Sequence, residues 1–432
     1  MIGLNFSTLW VGEPPAAKGH SVQTIGFDTT AVHGPQPDAS GHRAIRFPIH
    51  AGVAFHFESA EDLEAAFAFR KPAHAYSRVT NPTVEEFEQK ITALEQGRGA
   101  MGLSSGMAAI ANAVFNLVRH GDNIVSASAV FGNTYSLFKN TLGRMGIQVR
   151  FVDITDPGQV RRALDDRTRV VFLETISNPL MQVPDIACIA RIAHAKGAVL
   201  VVDGSVTTPC LIKGSALGVD VMVHSSTKLI SGGATSVGGV IVDTGLRDWS
   251  DVPNLERFSR FGEWAFLVRL RREVYRDLGA CMAPQTAYLQ SLGLETLSLR
   301  MERACDSCRQ LAQYLAGHPR IRQVHYPGLA DSPFHTVAME QFNGRCGSIL
   351  SFELDDKPAA FVFLNRLRII RRATNLGDNA SLAIHPASTI FNEYAPEEKA
   401  ALGVTDGLVR LSVGIETLDD LIRDLDQALE GE

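Results

Sequence analysis

Cysteine is scarce in this chain: Cys188, Cys210, Cys281, Cys305, Cys308 and Cys346 are the six among 432 residues. That sparsity argues against a disulfide framework and fits a reducing compartment, so a cytoplasmic protein is expected. Cys305 and Cys308 form a C-x-x-C, but it lies within a helical pattern and has no second pair. A zinc site needs more ligands, so the pair reads as helix packing and no metal site is expected. No apolar run approaches the roughly 20 residues of a membrane span. The opening "MIGLNFSTLWVGEPP" has neither a basic stretch nor a long apolar one, so no signal peptide is expected. Positive charge is not in excess: 41 Lys and Arg face 47 Asp and Glu, a formal net charge of -6. Such a balance gives no global attraction to nucleic acid or to an anionic membrane. There is no internal repeat and no low-complexity tract.

What remains is an ordinary globular composition, 45% hydrophobic and 20% charged. The length suggests two or three domains. Residues 1–72, with many Gly, Pro and His, read as an irregular N-terminal arm. From residue 73, helical and strand patterns alternate. "NPTVEEFEQKITALEQG" and "GMAAIANAVFNLVRHGD" read as helices, as do "TYSLFKNTLGRMG" and "VPDIACIARIAHAKG". "NIVSAS", "IQVRFVD", "TRVVFLET", "AVLVVDG", "VDVMVHS" and "VGGVIVD" read as strands. This alternation predicts a doubly wound, mostly parallel sheet over 73–282, with ligands at the carboxyl ends of the strands. One long helical pattern over 283–317 leads into a smaller C-terminal α/β domain, 283–432. There "GSILSFEL", "SLAIHP" and "LVRLSVGIE" are strands and "TLDDLIRDLDQALEG" is a terminal helix.

The chemistry gathers at strand ends. Asp203 closes "AVLVVD", and Lys228 follows the next strand with Ser225 and Thr227 just before it. A lysine amine can form a Schiff base, hydroxyls can hold a phosphate, and a carboxylate can pair a pyridinium nitrogen. Pyridoxal phosphate (PLP) asks for those groups. Ser104, Ser105, Gly106 and Met107 open a helix, where backbone N–H groups and the helix dipole favour an anion. Tyr76 and Arg78 precede another helix, and an arginine suits phosphate. Phe131, in a turn after a strand, could stack on a flat ring. Asn178 could bond a ring oxygen. Arg410 lies in an apolar strand and needs an anion, which a substrate carboxylate would supply. Singly, each has a plainer reading: a turn aspartate, a loop lysine, a solvated arginine, a core phenylalanine, a turn asparagine before proline, a structural ion pair. It is their combination and order that point to PLP.

From about residue 45 to the C-terminus the sequence resembles the Cys/Met-metabolism family of PLP enzymes. "YSRVTNPT", "SSGMAA", "FGNTYSLF", "ETISNP", "VVDGS", "VHSSTK", "HPAS" and "LVRLSVGIE" occur in family order. The resemblance implies the aspartate-aminotransferase-like fold, fold type I. It implies that Lys228 holds PLP covalently and shuttles protons, and that Asp203 pairs the pyridine nitrogen. Ser105, Gly106, Met107, Ser225 and Thr227 would hold the phosphate, Phe131 would stack on the ring, and Asn178 would sit by the ring hydroxyl. Tyr76, counted with Lys228 and Asp203 among the catalytic residues, and Arg78 would reach the phosphate of a neighbouring subunit, making a dimer the minimal active unit and a tetramer the usual assembly. Arg410 and the segment around Asn375 would grip the substrate carboxylate.

Several positions depart from the family pattern. Phe131 stands where Tyr is common, and Asn133 where methionine γ-lyases carry Cys. Gly204-Ser205 replaces Asn-Thr, and "SGGATS" replaces a Gly-His-Gly turn. Residues 244–280 resemble the insertion of O-acetylhomoserine sulfhydrylases, as does "NLGDNASLAIHPAST". The expected reaction is therefore γ-replacement on an O-acylhomoserine through a vinylglycine-type intermediate. The favoured form is O-acetylhomoserine with sulfide or a thiol. A γ-lyase, a cystathionine γ-synthase type, a relative using a carbon or thiocarboxylate nucleophile, and a binding protein without turnover are the alternatives.

Overall fold

The structure is a computed structural model that describes residues 26–35, 44–68, 70–392 and 394–430. Residues 1–25 and 36–43 of the expected arm lie outside the described residues, and so does the reading of no signal peptide.

Seven strands form the larger sheet: β1 (Gly99–Leu103), β2 (Asn123–Ala127), β3 (Gln148–Val152), β4 (Thr168–Glu174), β5 (Val199–Asp203), β6 (Val221–His224) and β7 (Gly239–Asp243). Their order is β1-β7-β6-β5-β4-β2-β3. The β3-β2-β4-β5-β6 run is parallel, and β7 runs antiparallel to both β6 and β1. The inner strands are buried on both faces, which explains their unbroken Val, Ile and Leu runs. The antiparallel β7 follows from the sequence between it and β6. That stretch holds a single short helical turn, Leu229–Ser231, and no helix to carry a parallel crossover.

A second sheet of five strands has the order β10-β11-β12-β9-β8. It comprises β8 (Gln323–His325), β9 (Ile349–Glu353), β10 (Arg371–Arg372), β11 (Leu382–Ile384) and β12 (Leu408–Ser412). It is antiparallel except for the β10–β11 pair. The architecture is thus α/β with a mostly parallel central sheet and a smaller second sheet, as the alternation predicted.

Local features differ from the sequence reading in four places. The arm is not wholly irregular: Phe27–His33 and Ala60–Phe67 are helices, the latter capped by the Ser59 side chain. Strand β1, "GAMGL", is glycine-rich and carries no β-branched residue, so no strand signal marks it. The long helix over 283–317 is two, Pro284–Glu295 and Leu297–Ala316, joined at Thr296. Residues 253–278 are almost continuously helical, with a kink at Gly262. Cys305 and Cys308 both lie in the buried face of the helix Leu297–Ala316. No helix among the described residues is long and apolar enough to cross a membrane.

Candidate active site

A cavity of about 200 Å3 opens at the carboxyl ends of β4, β5 and β6. Its lining includes Ser105, Gly106, Met107, Phe131, Asn178, Asp203, Ser225, Thr227, Lys228 and Arg410. Ten residues singled out from six separate stretches of sequence therefore meet in one place.

The lysine answers to its surroundings. Its amine donates to the Asn375 side-chain carbonyl at 2.6 Å. Burial, and next the charge of Arg410, pull its pKa down to about 8. An amine held there is neutral in a useful fraction near physiological pH, as a Schiff-base lysine must be. Asp203, the last residue of β5, accepts from the Ser205 backbone N–H at 2.8 Å. Burial pushes its carboxyl up, and the bonds from Ser205 and the charges of His224 and Lys228 only partly offset this. A positive ring nitrogen would stabilise its ionised form. His224 and Glu95, both fully buried, pair at 2.7 Å beneath it. Burial disfavours the charged imidazole, yet the Glu95 bond prevails and the His224 pKa rises.

Opposite lies the start of the helix Gly106–Leu117, capped by the Ser105 hydroxyl, which accepts from Ala108 N–H at 3.0 Å. The Ser105 side chain is thus engaged within its own helix. The free backbone donors at Gly106 and Met107 are what an anion meets there. Gly106 is required by contact: an added Cβ would stand 2.6 Å from the Ser225 Cβ. The Thr227 hydroxyl bonds the Gly238 carbonyl and N–H, both at 3.0 Å, and clamps the lysine loop to the start of β7.

Arg410, in β12, is 1% exposed. Its Nη2 donates to the Asn375 carbonyl at 2.8 Å and its Nη1 approaches the Asn178 side-chain oxygen at 3.5 Å. Its Nε has no partner, and no carboxylate among the described residues forms an ion pair with it. Burial lowers its pKa to about 10. A buried cation without a carboxylate partner among the described residues is costly.

Tyr76 and Arg78 are placed elsewhere. Tyr76 is 42% exposed, and Arg78 stacks on its ring at 5.4 Å and donates to the Arg276 carbonyl at 2.7 Å. Neither lines the cavity of its own chain. Asn375 touches the site only through its bonds to Lys228 and Arg410.

Sequence reasoning missed Glu174, the last residue of β4, which lines the cavity beside Asp203. Its signal was available, since "TRVVFLE" ends on a carboxylate just as "AVLVVD" does. It also missed His224, and it took Ser205 only as a departure from a pattern. The apolar wall of Ile176, Val206, Leu376 and Ile390 carries no sequence signal of its own.

A buried amine, a carboxylate, a close-packed helix N-terminus and an unpaired arginine fit PLP and an amino acid together. They define a PLP-dependent enzyme of fold type I. The comparisons specify it further. The family model described as "Cys/Met metabolism PLP-dependent enzyme" matches residues 28–430, and the chain belongs to that family. It is 39% identical to the homocysteine synthase of Schizosaccharomyces pombe, over 95% of this chain and 99% of that one. It is 38% identical to the L-methionine gamma-lyase of Pseudomonas putida, over 94% and 97%. A crystal structure of a Campylobacter jejuni protein assigned as an O-acetylhomoserine (thiol)-lyase, with a pyridoxyl-lysine phosphate, superposes with a TM-score of 0.89. That pair is 35% identical, over 94% of this chain and all of the other.

Proposed function

We propose that the protein is a γ-replacement transferase that takes O-acetylhomoserine, releases acetate and joins sulfide or a thiol to the γ-carbon. With sulfide the products are homocysteine and acetate. The observation that carries this reading is Arg410, a buried cation without a carboxylate, in the same cavity as a buried lysine. The α-carboxylate of an amino acid completes it. Lys228 and Arg410 are the cationic side chains lining the cavity among the described residues, and this scheme uses both. A succinyl ester or a cysteine nucleophile would bring a further carboxylate with no cation to meet it. An acetyl ester and sulfide bring none, and they suit the apolar wall of Ile176, Val206, Leu376 and Ile390.

PLP, when bound, supplies an electron sink that acidifies the α-carbon of the substrate. The chain's own residues do the rest. Arg410 fixes the carboxylate and so the orientation of the Cα–H bond. The Lys228 amine would take the α-proton and pass it on, and, neutral again, would take the β-proton. Acetate then leaves the γ-carbon, hydrogen sulfide adds there, and the two protons return to the β- and α-carbons. Asp203, held by Ser205, keeps a proton on the ring nitrogen. The N–H groups of Gly106 and Met107 and the hydroxyl of Ser225 would hold the phosphate, and Thr227, if its hydroxyl turned from the Gly238 carbonyl, would add a donor. Phe131 would cover the ring and Asn178 would meet its hydroxyl.

The same reading divides the chain into an arm (1–72), a cofactor domain (73–282) and a C-terminal domain with its linking helix (283–432). It makes a dimer the active unit, with a tetramer built from it. Ile45, Ile49, Val53, Phe67 and Tyr76 are exposed along one segment, and a second copy would cover them and receive Tyr76 and Arg78 at its phosphate. Six free cysteines accord with the cytoplasm. The test is a donor comparison: O-acetylhomoserine should be turned over with sulfide to homocysteine, and O-succinylhomoserine much more slowly. A preference for the succinyl ester would overturn the charge argument.

A further inference from the structure

Phe131 faces a difficulty. Its ring lines the cavity and is 36% exposed there, with no hydroxyl to anchor it. It stands at the N-cap of the short helix Gly132–Ser136, and its side chain makes no capping bond. A ring meant to lie over a planar cofactor must be held by its backbone.

Glu174 provides the hold. Its carboxylate accepts from the Phe131 backbone N–H at 2.6 Å, across 43 residues of sequence. Glu174 ends β4 in register with Asp203 at the end of β5, so both carboxylates stand on the same face of the sheet. It is buried and lines the cavity. Two buried carboxyls side by side are costly to ionise: burial, and next the charge of Asp203, push Glu174 up to about 8, and the Phe131 bond only partly offsets this. Asp203 has the Ser205 N–H and Glu174 has the Phe131 N–H. Behind the turn, Gly132 packs so closely that an added Cβ would meet the Ile390 carbonyl at 2.9 Å. The turn is thus pinned between Glu174 on one side and residue 390 on the other.

We infer that Glu174 is a positioning residue: it fixes the Phe131 backbone so that the ring covers the cofactor whose nitrogen the neighbouring Asp203 holds. The inference rests on the cofactor placement proposed above. Glutamine at 174 keeps an oxygen acceptor for the Phe131 N–H, whereas alanine removes it.

The experiment titrates PLP into cofactor-free wild type, Glu174→Gln, Glu174→Ala, Phe131→Ala and the Glu174→Ala/Phe131→Ala double variant. Affinity is read from quenching of protein fluorescence and ring seating from induced circular dichroism in the visible. Thermal melting of each cofactor-free protein reports folding. The expected result is affinity about tenfold weaker and a diminished dichroic band for Glu174→Ala, with Glu174→Gln near wild type. In the Phe131→Ala background, Glu174→Ala should cost almost nothing more. Wild-type affinity and dichroism in Glu174→Ala would overturn the inference. So would equal losses in Gln and Ala, or a Glu174→Ala loss that persists without the Phe131 ring. Failure of every protein, wild type included, to bind PLP would instead count against the cofactor placement.

Discussion

The Lys228 amine donates to the side-chain oxygen of Asn375 at 2.6 Å. The two residues come from different sheets' surroundings, one in the loop after β6 and the other between β10 and β11. Asn375 also accepts from Arg410 through its backbone carbonyl, at 2.8 Å. One residue thus links the Lys228 amine to the Arg410 guanidinium.

On the proposed roles, replacing Lys228 by Ala removes both the covalent anchor and the proton shuttle. Turnover should fall at least about 1,000-fold. Borohydride treatment followed by mass analysis should label wild type with cofactor and leave the variant unlabelled.

Arg410→Met separates function from stability. Loss of the buried charge partner should lower kcat/KM for the amino-acid donor roughly 100- to 1,000-fold. The cofactor-free variant should nevertheless be as stable as wild type or more so, by about 1 kcal/mol, since an unpaired buried cation is gone. Denaturant melts and steady-state kinetics on the same preparation check both halves. A variant that is strongly destabilised would mean that Arg410 is structural.

The Lys228 pKa of about 8, depressed by burial and then by Arg410, sets a pH dependence. Only the neutral amine attacks an aldehyde, so cofactor capture should speed up as pH rises toward 8 and level off above it. In Arg410→Met one of the two depressing causes is absent, and the midpoint should move to higher pH. Stopped-flow mixing of cofactor-free protein with PLP across the pH range measures it. A midpoint unmoved by Arg410→Met would remove Arg410 as a cause.

Gly106→Ala tests the close approach of the phosphate loop. The new Cβ would lie 2.6 Å from the Ser225 Cβ, so one of the two segments must move. PLP affinity should weaken by about tenfold or more while the fold persists. Equilibrium titration checks it.

The sequence made the catalytic frame legible because strands buried on both faces leave polar residues only at their ends. Asp203 stands out against "AVLVV", and Lys228 against "VMV", for that reason. Gly106 was legible as a helix opening, though not the Ser225 contact that requires it. The antiparallel β7 and the glycine-rich β1 were hidden, because strand direction depends on what fills a connection and β1 lacks any strand-forming side chain. In the sequence Glu174 reads only as the end of the strand "TRVVFLET", with no role in the site. Only the pairing of β4 with β5 sets it beside Asp203. Asn375 was placed through family resemblance, and its two bonds are tertiary relationships that no local pattern encodes.

The most direct test of γ-replacement is a product analysis on the purified holoenzyme with O-acetylhomoserine, with and without sulfide. The account predicts homocysteine and acetate in equal amounts, formed only when sulfide is present. A 2-oxo acid and ammonia, formed at the same rate whether or not sulfide is added, would contradict it and make the protein a γ-lyase.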